Sequence, residues 1–393
     1  MSKNTDNTLE SLLLARTKVE LGETAAFFLI PLRPSDRKAV MVEKILTAFR
    51  DDTLRCLERL PFYELRNLRM LVSLGRGNDM LIPEPLPPLF LYLFGLVVDG
   101  SEEDDYKYGW GPLLKLCLPG DLYDIVAPHI GTAVSDIEKS DRLGYERFLW
   151  GCLTVYGCLS VHELLELRRG FNPEESQERF IDFLESYAPT RYLSDWTGDY
   201  LAYPDVDRVE LFAELHGGGF WGKPLAEVSL DDILSAGKTT PYNFPFASHP
   251  EGEALCDALA AVGQGGDAAA IRMHWLWHAL QDSDAGEEGI RDLALMILKD
   301  VRVASDGKAR ALGRAIEAYI NAIPVWAFRG RTSTEMMLGD SPLLKQNDAA
   351  RAFLAHQMSG IYKAASAHGL GANAPCPCGS GLRYRDCHGK NVS

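Results

Sequence analysis

Near the C-terminus, Cys376 and Cys378 stand one residue apart, and Cys387 and His388 follow as a direct pair after eight intervening residues. Three thiolates and an imidazole make a complete tetrahedral donor set for Zn2+. Four such ligands with no fifth candidate beside them describe a closed structural site rather than a catalytic one with an open position. Gly379 and Gly381 flank Ser380, where a metal knuckle needs unusual φ values and close approach of backbone N–H groups to sulfur. The four ligands leave a complex of net charge about −1, which Arg383, Arg385 and Lys390 can offset. A segment this small has little core, so metal binding would supply its folding free energy, about 10–16 kcal/mol by comparison with zinc-finger peptides. The competing reading is a chance cluster of free thiols, which would oxidise readily at this density.

Other chemistry-bearing patterns are incomplete. His274 and His278 lie at i and i+4 with Asp282 one turn further on, a possible metal face. The segment lacks the glutamate of H-E-x-x-H, and Trp275 and Trp277 point to packing histidines on a buried helix. "HGGGF" (His216 to Phe220) has the form of an oxyanion-hole segment, but no G-x-S-x-G follows; the serines at 235 and 366 lack the required glycines. "SAGKTT" (Ser235 to Thr240) ends like a phosphate loop, yet Asp232 occupies the place of its first glycine, so "SLDDILSAG" predicts a short helix capped by Ser229 and stopped by Gly237. "DSDAGEEG" (Asp282 to Gly289) puts Gly286 where a calcium loop needs an oxygen ligand.

"CPCGSGLRYRDCHG" resembles the SEC-C motif, the zinc-binding tail named for the C-terminus of the SecA translocation ATPase and found on many otherwise unrelated bacterial proteins. The resemblance implies Cys376, Cys378, Cys387 and His388 as zinc ligands. It also implies a basic-aromatic contact surface at Arg383, Tyr384, Arg385 and Lys390, since such modules recruit partners that include a chaperone and the ribosome. It covers about fifteen residues and identifies a module; nothing in the chain resembles the SecA motor. Two further segments, "NAIPVWAFRGRTSTEM" (Asn321 to Met336) and "VYGCLSVHELLEL" (Val155 to Leu167), are similar to stretches of a group of uncharacterised helical SEC-C proteins. Asn321, Pro324, Trp326, Gly330, Thr332 and Glu335 carry the first likeness, with Ser333 where that pattern has proline. Read from the residues alone, the two stretches are a loop with an aromatic plug at Trp326 and a capped helix.

The elements that must position these residues read as helices. Apolar residues recur at three-and-four spacing over Leu9 to Leu14, Lys38 to Arg50, Tyr145 to Tyr156, Gln177 to Tyr187, Ala268 to Leu280, Ile290 to Lys299 and Ala309 to Ile323. "SVHE" (Ser160 to Glu163) and "TSTE" (Thr332 to Glu335) have the capping-box form. Period-two alternation is scarce. The fold class expected is therefore mainly α, a multi-helix body with a small C-terminal zinc-binding module. Breaks in the pattern divide it at 1–188, 189–367 and a tether with the module at 368–393.

With 393 residues and 46% hydrophobic content the chain can bury a substantial core. Its formal net charge of −15 opposes non-specific binding of the body to nucleic acid or anionic membranes. The longest apolar run, Leu86 to Val98, is too short to span a bilayer and predicts a buried core helix. The N-terminus lacks the form of a signal peptide. Cys56, Cys117, Cys152, Cys158 and Cys256 sit among apolar neighbours, as buried reduced thiols of a cytoplasmic protein do. The acidic run Glu102 to Asp105 reads as a solvated loop. These readings converge on a cytoplasmic bacterial adaptor or regulator whose zinc tail recruits a macromolecular partner. The alternatives are an enzyme, hydrolase or nuclease, using His216, His274, His278 and nearby carboxylates, and a nucleic-acid-binding protein using the tail and the basic edge Arg66, Arg69 and Arg76 of the segment Leu60 to Gly77.

Overall fold

The computed structural model describes residues 8–83, 90–99, 113–174, 176–194, 199–204, 224–238, 246, 248–281, 301, 303, 305–332, 335 and 383. The fold is mainly helical, as expected. Two compact units divide the chain. The first comprises Met1–Trp150, Leu159–Asp205 and Gly237–Pro241, and the second Gly151–Cys158, Val206–Ala236 and Tyr242–Ser393. The units are thus interleaved along the chain.

In the first unit, α1 (Leu9–Ala15), α2 (Lys18–Phe27), α3 (Lys38–Asp51), α4 (Thr53–Glu58) and α5 (Phe62–Leu74) follow one another closely. Thr17 and Glu20 form a capping box that starts α2, the Thr17 hydroxyl accepting from the Glu20 N–H and the Glu20 carboxylate from the Thr17 N–H. Phe27 stacks on Phe90 at 4.8 Å between ring centroids, and Phe28 meets Phe49 edge-on at 4.9 Å, which makes an aromatic core of the kind that anchors small helical bundles. The run Leu86 to Val98 departs from expectation. Among its described residues, 90–98, Phe90–Leu93 (α6) is helical, and Gly95 at φ +65° with the Leu96 N–H turned back to the Leu91 carbonyl ends that helix after one turn. Phe90, Leu91, Phe94, Leu96 and Val97 are nevertheless buried.

A small antiparallel sheet is the other feature that periodicity did not announce. β1 (Asp79–Pro83) pairs with β3 (Leu113–Cys117) from Asp79 opposite Cys117 to Pro83 opposite Leu113, and β2 (Val98–Asp99) lines the other edge of β3. The strand sequences DMLIP and LLKLC do not alternate apolar and polar residues, so no pattern of two marks them. Helices α7 (Gly120–Val126), α8 (Ile130–Glu138) and α9 (Arg142–Tyr156) follow. Phe148, Leu149, Trp150, Cys152, Leu153, Thr154, Val155 and Tyr156 of α9 are all buried, so this helix is covered all round from Phe148 onward. β4 (Cys158–Ser160) leads into α10 (Val161–Phe171), opened by the expected capping box: Ser160 Oγ accepts from the Glu163 N–H at 3.1 Å and Glu163 accepts from the Ser160 N–H at 2.9 Å. After α11 (Gln177–Ser186) and α12 (Thr190–Leu193), β5 (Tyr200–Ala202) pairs with β4. Arg168 lies over the rings of Tyr145, Phe148 and Phe180 at 5.1–5.7 Å, its charge against three aromatic faces.

In the second unit α13 (Leu230–Ala236) has Ser229 Oγ accepting from the Asp232 N–H at 3.2 Å, so "SLDDILSAG" is a capped helix and not a phosphate loop. Gly151 allows α9 to touch this helix, since a Cβ there would lie 1.9 Å from the Ile233 carbonyl oxygen. α14 (Pro250–Ala261), α15 (Asp267–Gln281) and α16 (Asp306–Ala322) bury Leu255, Met273, Trp277, Ile316 and Tyr319. The expected helix Ile290 to Lys299 and the acidic run Glu102 to Asp105 lie outside the described residues. Among those residues, no helix is long and apolar enough to cross a membrane. Cys56, Cys117, Cys152, Cys158 and Cys256 form no disulfide among the described residues, and the first four of them are buried.

Candidate functional site

The two interior segments singled out in the sequence meet at one place in the second unit. Helix α9 ends at Gly157, which has φ +72°, and a Cβ on this residue would fall 2.5 Å from Cγ of Trp326. The indole takes the space a side chain would fill. Its Nε1–H donates to the Thr154 carbonyl at 2.9 Å, one of the last carbonyls of α9, which have no helical amide to accept. Gln281, the final residue of α15, grips the same loop with both ends of its amide: Nε2 donates to the Pro324 carbonyl at 3.0 Å, and Oε1 accepts from the Trp326 N–H at 2.9 Å. Trp277, one turn earlier, meets Trp326 edge-on at 5.7 Å.

A second glycine completes the lock. Gly330, at φ +82°, would place a Cβ 2.5 Å from the Tyr156 ring, and the Tyr156 hydroxyl donates to the Ala226 carbonyl at 3.0 Å. Arg329 is buried with φ +57°, and its carbonyl accepts from the Ala226 N–H at 3.0 Å. Thr332 and Glu335 exchange the two hydrogen bonds of the expected capping box, at 2.6 and 3.1 Å. Every polar atom named here faces another one inside the cluster. The arrangement fixes the segment 324–332 against the end of α9; it offers no exposed nucleophile.

The first unit holds a buried polar network that the sequence reading missed. The Glu146 carboxylate, 2% exposed, accepts from Arg142 Nε at 2.5 Å and from the Phe62 N–H at 2.7 Å. The Arg142 guanidinium donates onward to the Glu58 and Leu60 carbonyls, and Trp150 Nε1 donates to the Tyr187 hydroxyl at 3.1 Å. The network therefore caps the end of α4 and the start of α5 from one helix. Burial pushes the Glu146 carboxyl up despite Arg142, and the Tyr187 phenol well up. Arg142 and Glu146 at i and i+4 inside "RLGYERFLW" were the available signal. Glu64 is a separate case. It is 1% exposed, its carboxyl accepts from the Leu91 N–H at 2.6 Å, and burial raises its pKa to about 8.

His274 is buried, with its ring 6.0 Å from that of Trp277, and Trp277 also faces His278 at 6.3 Å. Asp282 and His216 lie outside the described residues, as do the "HGGGF" and "DSDAGEEG" segments. Arg66 and Arg69 lie on α5, an ordinary packed helix, and Arg76 pairs with Asp124 at 3.2 Å. Among the described residues, no group of three or more His, Cys, Asp or Glu could hold a metal ion.

Of the residues assigned to the tail, Arg383 is described and exposed; Cys376, Cys378, Tyr384, Arg385, Cys387, His388 and Lys390 lie outside the described residues. The SEC-C motif family matches residues 373–390, a span that takes in all eight. The chain carries a SEC-C motif. A curated relative, Protein translocase subunit SecA of Burkholderia pseudomallei (strain 1106a), is 46% identical over 43 residues, which are 11% of this chain and 5% of that protein. The similarity thus spans about a twentieth of the length of the relative. No solved structure matches the chain. The SEC-C motif is generally zinc-associated.

Proposed function

We propose that the protein is a zinc-binding adaptor or regulator of the bacterial cytoplasm whose SEC-C tail recruits a macromolecular partner: a protein, a chaperone or the ribosome. The observation that carries this reading is the SEC-C match at 373–390, which contains every residue the spacing selects. The donor chemistry suits the metal, since three thiolates and an imidazole favour tetrahedral zinc over the oxygen-seeking divalent cations. In this reading Cys376, Cys378, Cys387 and His388 hold the ion, and the module folds around it. Arg383, Tyr384, Arg385 and Lys390 then present charge and an aromatic ring to the partner. A chain of net charge −15 makes a protein surface the preferred target over free nucleic acid.

The test compares the full chain with Cys387→Ser and with the double substitution Arg383→Glu and Arg385→Glu. Elemental analysis should find one zinc per chain in the wild type and in the arginine variant, and much less in Cys387→Ser. Co-sedimentation with purified ribosomes and capture of partner proteins should be lost in both variants. Wild-type protein without zinc would overturn the metal assignment. Equal capture by all three proteins would overturn the recruiting role.

A further inference from the structure

The first unit has an open groove of about 670 Å3 between the loop that follows α2 and the outward face of α3 and α4. Its floor is apolar, made by Ile30, Leu32, Val40, Ala48 and Cys56. Val40, Glu43, Lys44, Thr47, Ala48 and Asp51 recur at three-and-four spacing, so one stripe of α3 forms a whole wall. From Val40 to Asp51 the stripe runs about 16 Å, three turns of helix. At the lip, Leu29 is 58% exposed.

The charges that line the groove balance on paper, three acids against three bases, but they are not equally available. Lys44 is held by Asp36 at 2.6 Å and reaches the Pro31 carbonyl at 3.5 Å. Arg55 donates to the Leu29 carbonyl at 2.9 Å and pairs with Asp52 at 3.7 Å. Both cations are therefore engaged with loop carbonyls and neighbouring carboxylates. No described residue pairs with Glu43 or Asp51, which stand eight positions apart on the same stripe, about 12 Å along the helix; the remaining cation, Arg33 on the loop, acts on Asp36 and helps to lower its carboxyl. The wall of α3 is thus negative above an apolar floor.

We propose that this groove docks a basic amphipathic helix of a partner protein. The apolar face would lie over Ile30, Leu32 and Val40, and Lys or Arg side chains about two turns apart would meet Glu43 and Asp51, the helix-in-groove mode with anchors at i, i+3, i+4 and i+7. The inference is independent of the zinc tail. It gives the body a contact of its own.

The experiment measures binding of a labelled amphipathic peptide of leucine and lysine, about 18 residues long so that it is helical when bound, to the full chain. A leucine-glutamate peptide of the same pattern is the control. Thr47→Trp fills the groove without changing charge and should weaken the leucine-lysine peptide about tenfold. Val40→Ser, which removes an apolar contact at an exposed position, serves if Thr47→Trp does not fold. Glu43→Gln with Asp51→Asn should weaken it about two- to fivefold, and added salt should weaken it further. Cys387→Ser should bind as the wild type does. Unchanged affinity of the groove variants would overturn the proposal by showing only attraction to the acidic body, and so would equal binding of the leucine-glutamate peptide. A wild-type dimer that Thr47→Trp dissociates would assign the face to a second copy and equally overturn it.

Discussion

Replacing Glu64 with Gln should make the stability of the first unit less sensitive to pH. The carboxyl is 1% exposed, and burial outweighs the Leu91 and Phe90 amides to raise its pKa from 4.5 to about 8. The folded state therefore holds a proton that the unfolded chain releases. The stabilisation from this proton is complete below the unfolded value and is lost as pH rises from about 4.5 to about 8. The slope is about 1.4 kcal/mol per pH unit while only the folded state is protonated, so between about pH 5.5 and pH 7.5 the wild type loses about 2–3 kcal/mol through this residue. Gln keeps the shape and accepts from the same amides without titrating. The assay is urea unfolding followed by tryptophan fluorescence at both pH values, with Trp150 reporting on the unit that contains Glu64. Glu146 titrates in both proteins and cancels in the difference. The variant should gain about 2–3 kcal/mol relative to the wild type on going from the lower to the higher pH. Parallel stability curves would refute the argument by showing that Glu64 is ionised in the folded protein.

Gly157→Ala forces a side chain at φ +72° into Trp326 and should cost about 3 kcal/mol or more, read as a fall in thermal midpoint. Trp326→Phe, which orphans the Thr154 carbonyl, should cost about 1–3 kcal/mol by chemical denaturation. Leu29 occupies the left-handed position after α2 at φ +54° with most of its side chain in solvent, so Leu29→Gly should stabilise by about 0.5–1 kcal/mol in a thermal melt. Cys387→Ser should leave the far-UV circular dichroism of the body nearly unchanged while zinc is lost; collapse of the helical signal would contradict an independent tail module.

Several features were legible in the residues because the forces behind them act over one or two turns. The capping boxes at Ser160 and Thr332 need only an acceptor and a carboxylate three residues apart, and both form. The stop at Gly237 and the cap at Ser229 follow the same logic, which excluded a phosphate loop before any coordinates. The run Leu86 to Val98 misled because apolar composition speaks of burial and not of conformation: its described residues are mostly buried, but Gly95 ends the helix. The histidines at 274 and 278 read as packing residues from their tryptophan neighbours, and His274 is buried beside Trp277.

The sequence by itself determined the helical class, the caps and the donor set of the SEC-C motif, since periodicity, side-chain acceptors and thiol spacing are properties of short stretches. Only the tertiary structure decided that Trp326 fills the space left by Gly157, that Gln281 holds Pro324 and Trp326, and that Arg142 and Glu146 join the ends of α4 and α5. The partners in these contacts stand from 43 to 169 positions apart. Nothing local marks one as belonging to the other. Such pairs are selected by which surfaces pack without leaving voids or unpaired polar groups, a condition imposed by the whole core at once. The division into two interleaved units is likewise invisible in any short stretch: α9 contributes its first part, to Trp150, to one unit and its end, from Gly151, to the other.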